Sequence, residues 1–527
     1  MAGLICSGIS AQVPGNKVNT PVKSWPEKFV TVDILSSSDG TVQKAWFYKS
    51  GSDKPQPLIV SLHTWSGDYN QEDPLTKEIL LRDWNYIHPD FRGFNNKPQA
   101  CGSDLVISDI LDAINYAVKK ANADASNVHI IGVSGGGYAS LLAFMRLNYP
   151  VKSFNAWASI SNLNDWYYEC KDRGLKYAND LEMVTTSGKG FDKSEALKRS
   201  PVQMEYNKEM RKGSTLNIYA GINDGYTGSV PISQSINMFN KLLKDMYPDR
   251  MNEIIPDSTK NSLLARNIIP FLENNSELGG RNIHLFKNLP DLHLTIFEGT
   301  HEMLVPQALA LIPTGNRSDI KIRKLNILTI GDSNGAGPDG WPEQLKKLLP
   351  YSTIINKSIS GNTIGFDNLG QANLNTLKNI DRYLEEAFKQ LGINKQIDFV
   401  FINLGTNDTK VIFKEQQKEV PENMSLLIQK IKTYLKSNNR KLPEICIVTP
   451  SPMDEEKINK EKYGGGDEQI RKNNILFRKV AGRNNIGFLN TYSQLKKDFA
   501  QKTSDGVHLD PKTQFQLATI IADYLNR

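Results

Sequence analysis

The chain has 527 residues, more than one core comfortably fills, so two or three domains are expected. Apolar residues make up 39% and charged residues 23%, an ordinary globular balance. The net charge of +6 is small for this length, and lysines and acids are interspersed rather than segregated. Nothing here calls for a nucleic-acid partner. No interior run is long and apolar enough to span a membrane.

The segment Leu4-Ile5-Cys6-Ser7-Gly8-Ile9-Ser10-Ala11-Gln12 reads as the tail of a secretory signal with cleavage after Ala11. The basic n-region and most of the apolar h-region are missing. Residues 1–24 are therefore expected to be a truncated leader and an arm, and the location periplasmic or secreted. A lipid anchor on Cys6 is the alternative, with Gly3 a poor residue three places before it. The four cysteines make no disulfide framework, and buried, idle thiols are expected. A Cys101–Cys170 pair stays open for an exported protein. No Cys/His cluster has zinc-ligand spacing.

Residues 29–49 predict a hairpin around Asp39-Gly40. Short apolar strands then alternate with amphipathic helices. Strands are expected over Leu58–His63, Val128–Val133, Ser153–Ile160, Leu216–Gly221 and Leu292–Phe297, and helices over Ile107–Asn122 and Tyr138–Leu147. This alternation predicts an α/β domain over 25–312, with a mainly parallel sheet covered on both faces. The pattern breaks at Ile312-Pro313-Thr314-Gly315-Asn316-Arg317, and residues 313–323 are expected to be a linker. A second alternation fills 324–527, with strands over Asn326–Ile330, Asp398–Asn403, Glu444–Val448 and Gly487–Asn490. Helices near 373–390, 423–437, 466–482 and 511–526 separate them.

Gly132-Val133-Ser134-Gly135-Gly136 lies between an expected strand and an expected helix. That is where a nucleophile elbow needs small neighbours, and where helical N–H groups favour an oxyanion. This region resembles the α/β-hydrolase family, especially its prolyl-oligopeptidase-like and carbohydrate-esterase members. The resemblance implies Ser134 as nucleophile, Asp224 as acid after the strand Leu216–Gly221, and His301 as base after Leu292–Phe297. It also implies an oxyanion hole from the N–H groups of Trp65 and Gly135, although the Trp65 loop departs from the usual glycine-rich form. His284 and His293 compete with His301 less well, one before a Leu-Phe run and one within a strand. The stretch 236–290 is long enough to form a cap, but polar.

Four further blocks stand in order: Gly331-Asp332-Ser333-Asn334, Ser360-Gly361-Asn362, Gly405-Thr406-Asn407-Asp408 and Asp505-Gly506-Val507-His508. They resemble the SGNH (GDSL-like) hydrolase family, which implies a flavodoxin-like α/β/α domain. By this resemblance Ser333 attacks, its own N–H with Gly361 and Asn407 holds the oxyanion, and Asp505 and His508 form the acid–base pair. His508 is the last histidine of the chain and the only one after His301. Asn334 departs from the family, where leucine is common.

Both sites imply acyl transfer to water through a serine ester, with no metal or cofactor. The two resemblances together imply a bifunctional carboxylesterase that strips acetyl and other acyl groups, such as hydroxycinnamoyl, from plant-type polysaccharides or oligosaccharides. Trp65 and Trp341 lie near the proposed nucleophile loops and can stack on a pyranose, though tryptophans more often pack in cores. Two alternatives stay open: a lipid-directed esterase or thioesterase, or one active domain beside a non-catalytic carbohydrate-binding one.

Overall fold

The computed structural model describes residues 25–266, 277–313, 324–392 and 394–525. The suspected leader, Cys6 and all of the expected linker except Pro313 lie outside them.

The first sheet contains strands β1 (Val30–Leu35), β2 (Val42–Tyr48), β3 (Gln56–Leu62), β4 (Asn85–Pro89), β5 (Ala123–Val133), β6 (Ser153–Trp157), β7 (Thr215–Gly221), β8 (Glu277–Leu278), β9 (Arg281–Asn288) and β10 (Leu292–Phe297). Their order is β1-β2-β4-β3-β5-β6-β7-β10-β9-β8. The centre, from β4 through β3, β5, β6 and β7 to β10, is parallel. The edges are antiparallel: β1 pairs with β2 through Leu35↔Val42, as the Asp39-Gly40 turn predicts, and β9 returns beside β10. Strands β4 and β9 escape the sequence reading because Asn85, His88, Arg281, Asn282 and His284 interrupt their apolar pattern.

One face of this sheet buries helices 104–120, 135–146 and 232–246 through residues such as Ile110, Leu141, Phe144, Phe239 and Leu242. The other carries helix 75–82 and a mostly apolar cluster around Ile59, Ile79, Trp157 and Phe297. The helix 232–246 thus belongs to the core. The stretch 236–290, judged long enough but too polar for a cap, supplies most of this helix and strand β9 among its described residues. Helices 163–172, 177–186 and 193–198, inserted between β6 and β7, gather instead around Trp65 and Trp166.

The second sheet consists of β11 (Asn326–Gly331), β12 (Thr353–Asn356), β13 (Phe399–Asn403), β14 (Glu444–Val448) and β15 (Gly487–Leu489), in the order β12-β11-β13-β14-β15. Every pairing is parallel. Helices 376–391, 420–437 and 466–484 cover one face, and 341–348 and 511–525 the other. This is the flavodoxin-like order, which reverses direction between β11 and β13 and opens a crevice at their carboxyl ends. The two bodies touch: Gly279 N–H donates to Pro350 O at 2.7 Å, and Lys347 Nζ lies 3.0 Å from Glu78.

Candidate active sites

The first site stands on the carboxyl ends of β3, β5, β7 and β10. After Val133 the chain turns sharply, and Ser134 adopts φ +59° and ψ −120° before the helix begins at Gly135. A non-glycine residue seldom holds this conformation, and here Ser134 N–H is tied to Trp157 O at 2.9 Å. A Cβ on Gly135 would collide with the Trp65 backbone nitrogen, so only glycine lets the β3 loop come so close. That approach sets the backbone nitrogen of Trp65, one expected oxyanion donor, against Gly135, the other.

Asp224 is 1% exposed. Its Oδ1 accepts from the N–H groups of Gly225 (2.9 Å) and Val230 (3.0 Å), leaving Oδ2 to meet His301 Nδ1 at 2.7 Å. This fixes the imidazole and turns Nε2 away from the acid, to within 3.4 Å of Ser229 Oγ. Among the described residues no hydrogen bond joins the Ser134 hydroxyl to His301; such bonds commonly tighten only with substrate in place. The inserted helices are fastened to the acid loop, since Trp166 Nε1 donates to Ser229 O at 2.9 Å and Arg173 to Gly228 O at 2.6 Å. Of the competing histidines, His284 lies 2.7 Å from Glu298 on β9, and His293 is in β10.

The second site lies where the strand order reverses. Ser333 follows β11, and the Asp332 carboxylate caps the turn by accepting Asn334 N–H at 3.0 Å. The relay is continuous: Ser333 Oγ to His508 Nε2 is 2.9 Å, and His508 Nδ1 to Asp505 Oδ2 is 2.5 Å. Asp505 Oδ1 also accepts from the N–H groups of Val507 (2.9 Å) and His508 (2.8 Å). Burial works to raise this carboxyl, but the His508 ring and the two N–H groups outweigh it and hold it at about 2. The pair remains open to solvent, with side chains 50% and 51% exposed.

Gly361 holds φ +87°, a conformation that favours glycine, and next to it Asn362 Nδ2 donates to Gly331 O at 3.3 Å. Asn407 is the remaining expected donor. A carbonyl oxygen only accepts, so the 3.0 Å contact with Asn362 O identifies the Asn407 amide nitrogen. Its Oδ1 accepts from the Tyr463 hydroxyl at 2.9 Å. The second N–H of the amide has no hydrogen-bond partner among the described residues.

Several contributors were not anticipated. Asn334 Oδ1 accepts Leu509 N–H at 2.9 Å and its Nδ2 donates to Val507 O at 3.3 Å. The residue that departs from the family thus joins the nucleophile turn to the histidine loop. Tyr463, Asn368 and Lys410 stand behind the oxyanion donors. Lys410 adjoins the Asn407 block in sequence, whereas Tyr463 lies far along the chain and carries no local signal. Neither tryptophan is free to stack on a sugar: Trp65 is buried against Trp166, and Trp341 is wholly buried. Cys101 and Cys170 share a buried cluster as free thiols, the state expected of them.

Residues 328–514, spanning all five second-site residues, match the GDSL-like lipase/acylhydrolase family. Residues 92–257, with Ser134 and Asp224, match the prolyl oligopeptidase family. Among curated proteins the chain is similar to the uncharacterized protein YfhR of Salmonella typhi, and to that of Salmonella typhimurium. Each is 25% identical over 133 residues, 25% of this chain and 44% of YfhR, so the chain spans less than half the length of these relatives. Similar solved structures include Est24, a carbohydrate acetylesterase from Sinorhizobium meliloti (23% identity, 38% of this chain and 99% of that one, TM-score 0.33). An aryl esterase of M. smegmatis (21%, 38% and 98%, 0.32) and the Pyrococcus horikoshii acylaminoacyl peptidase (18%, 43% and 36%, 0.33) are also among them. The chain therefore carries an α/β-hydrolase region matching the prolyl oligopeptidase family, followed by a region matching the GDSL-like lipase/acylhydrolase family.

Proposed function

We propose that the chain is a serine carboxylesterase with two active sites, Ser134–Asp224–His301 and Ser333–Asp505–His508. It removes acetyl and other acyl groups, such as hydroxycinnamoyl, from plant-type polysaccharides or oligosaccharides in the periplasm or outside the cell. The observation that carries this reading is the unbroken Asp505–His508–Ser333 relay. In this arrangement His508 Nε2 takes the serine proton as Oγ attacks the ester carbonyl. The developing oxyanion is held by Ser333 N–H, Gly361 N–H and Asn407 Nδ2. The same imidazole then returns its proton to the leaving alcohol, and water repeats the cycle on the acyl-serine. Exposed Asp505 and His508 leave room for a bulky, hydrated alcohol, which favours a sugar chain over a lipid.

The test is a pair of full-length variants on acetate, butyrate, octanoate and hydroxycinnamate esters and on acetylated glycans, with the released acid measured. Ser333→Ala should abolish one activity by ~10⁶ and Ser134→Ala another, each sparing its counterpart. If either variant alone silenced all hydrolysis, the two-site reading would be wrong. A preference of the Ser333 site for octanoate would replace the sugar reading with a lipid one. A first domain with no turnover on any ester would leave it a binding module.

A further inference from the structure

Three nearly consecutive side chains after β13 grip the loop that carries Gly361. Asn407 Nδ2 donates to Asn362 O at 3.0 Å, Asp408 Oδ1 accepts Ile364 N–H at 2.9 Å, and Lys410 Nζ donates to Asn368 Oδ1 at 2.8 Å. Asn368 passes the last contact on, because its Nδ2 donates to Gly361 O at 2.5 Å. Lys410 is 4% exposed, and a buried ammonium is costly unless its charge is used. Its Nζ also lies 5.7 Å from the centre of the Tyr463 ring, the residue whose hydroxyl orients Asn407. One buried cation therefore touches both partners of the oxyanion hole: Asn368, which fixes the Gly361 end, and Tyr463, which fixes the Asn407 end.

We propose that Lys410, acting through Asn368 and Tyr463, is a positioning residue that braces both ends of the second oxyanion hole and lends it positive charge, so that reaction at Ser333 follows the protonation of this lysine. The proposal rests on the acyl-transfer reading above. The groups facing Lys410 are Asp332 from the nucleophile turn, Asp408 from its own turn, and Lys462 and Tyr463 from the short helix 460–463. Asp505 and His508 act on the same cluster through Tyr463 and Asp332. Burial, with repulsion from Lys462, brings the ammonium down to about 8 against the pull of the two aspartates. The cation is thus present at neutral pH and lost as pH rises through about 8, which removes positive charge where the oxyanion forms.

The experiment uses the full chain with Ser134→Ala, so that only the second serine reacts. The readouts are the rate of Ser333 labelling by a fluorophosphonate and kcat and KM for a short acetate ester, followed from about pH 6 to about pH 10. The parent rate should fall above about pH 8. Lys410→Arg keeps the charge, since guanidinium stays protonated, and should carry that fall beyond the measured range. Lys410→Met should lower labelling and kcat by about tenfold to a hundredfold near neutral pH, with KM little changed and the alkaline fall abolished. Asn368→Asp preserves a partner for the lysine but removes the donor to Gly361 O, and should also slow labelling. Melting curves identify folded variants, and Lys410→Arg carries the test if Lys410→Met does not fold. Parental labelling in Lys410→Met, or an unmoved alkaline fall in Lys410→Arg, overturns the proposal. Labelling that follows the expected pattern in a protein that cleaves no acetate ester upholds the bracing role while refuting the substrate reading.

Discussion

Asp505→Asn should cripple the second site while leaving its fold intact. Asp505 Oδ1 accepts two backbone N–H groups, at 2.9 and 2.8 Å, so an asparagine at this position must place its carbonyl oxygen there. Its NH₂ group is then forced to face His508 Nδ1, where Oδ2 now lies at 2.5 Å. An amide donor at Nδ1 selects the tautomer with its proton on Nε2, the nitrogen that sits 2.9 Å from Ser333 Oγ. That nitrogen can no longer accept the serine proton. Loss of the correct tautomer lowers kcat by ~10⁴, which is ~5.5 kcal/mol at the usual conversion of rate into barrier. Stability should change little, because the carboxylate is half exposed and the variant keeps both backbone contacts. The assay is kcat on an acetate ester in the Ser134→Ala chain, with thermal melting alongside. Activity within tenfold of the parent would refute the tautomer argument, and a large fall in melting temperature would assign Asp505 a structural role instead.

Gly135→Ala should cost about 1–3 kcal/mol and silence the first site, because its methyl group meets the Trp65 backbone nitrogen. Denaturant unfolding and fluorophosphonate labelling of Ser134 check this, and a stable, fully reactive variant would contradict it. Asn334→Leu, which installs the residue common in the family, removes the acceptor of Leu509 N–H and should destabilise by about 1–3 kcal/mol. Slower labelling of Ser333 should accompany it as the His508 loop loosens. Stability should also depend on pH through Asp408, which burial, aided by Asp332, raises to about 7 from an unfolded value of about 3.9. The folded chain then binds the proton more tightly, so this contribution is fully present below about pH 4 and lost as pH rises through about 7. Melting temperatures at several pH values should show a decline that Asp408→Asn flattens, and an equally steep decline in the variant would exclude the assignment.

The order of strands and helices was legible in the sequence because buried parallel strands read as short apolar runs and covering helices as amphipathic ones. The loops after those runs carried Ser134, Asp224, His301 and Ser333 with their spacing, and Asp505 and His508 lie three residues apart, close enough to pair within one loop. Local pattern could not reveal β4 and β9, whose polar residues interrupt the apolar run; only pairing with neighbouring strands makes them part of the sheet. Nor could it assign helix 232–246, which is amphipathic in either setting; only packing against β7 and β10 makes it core. The supports of the second oxyanion hole depend on contacts between distant segments. Tyr463 reaches Asn407 across 56 positions, Lys410 reaches Asn368 across 42, and Asn334 reaches Leu509 across 175. A hydrogen bond between remote side chains leaves no periodicity in the chain, so the proposed nucleophiles and acid–base partners were suggested by the sequence, while the contacts that hold them were decided by the fold.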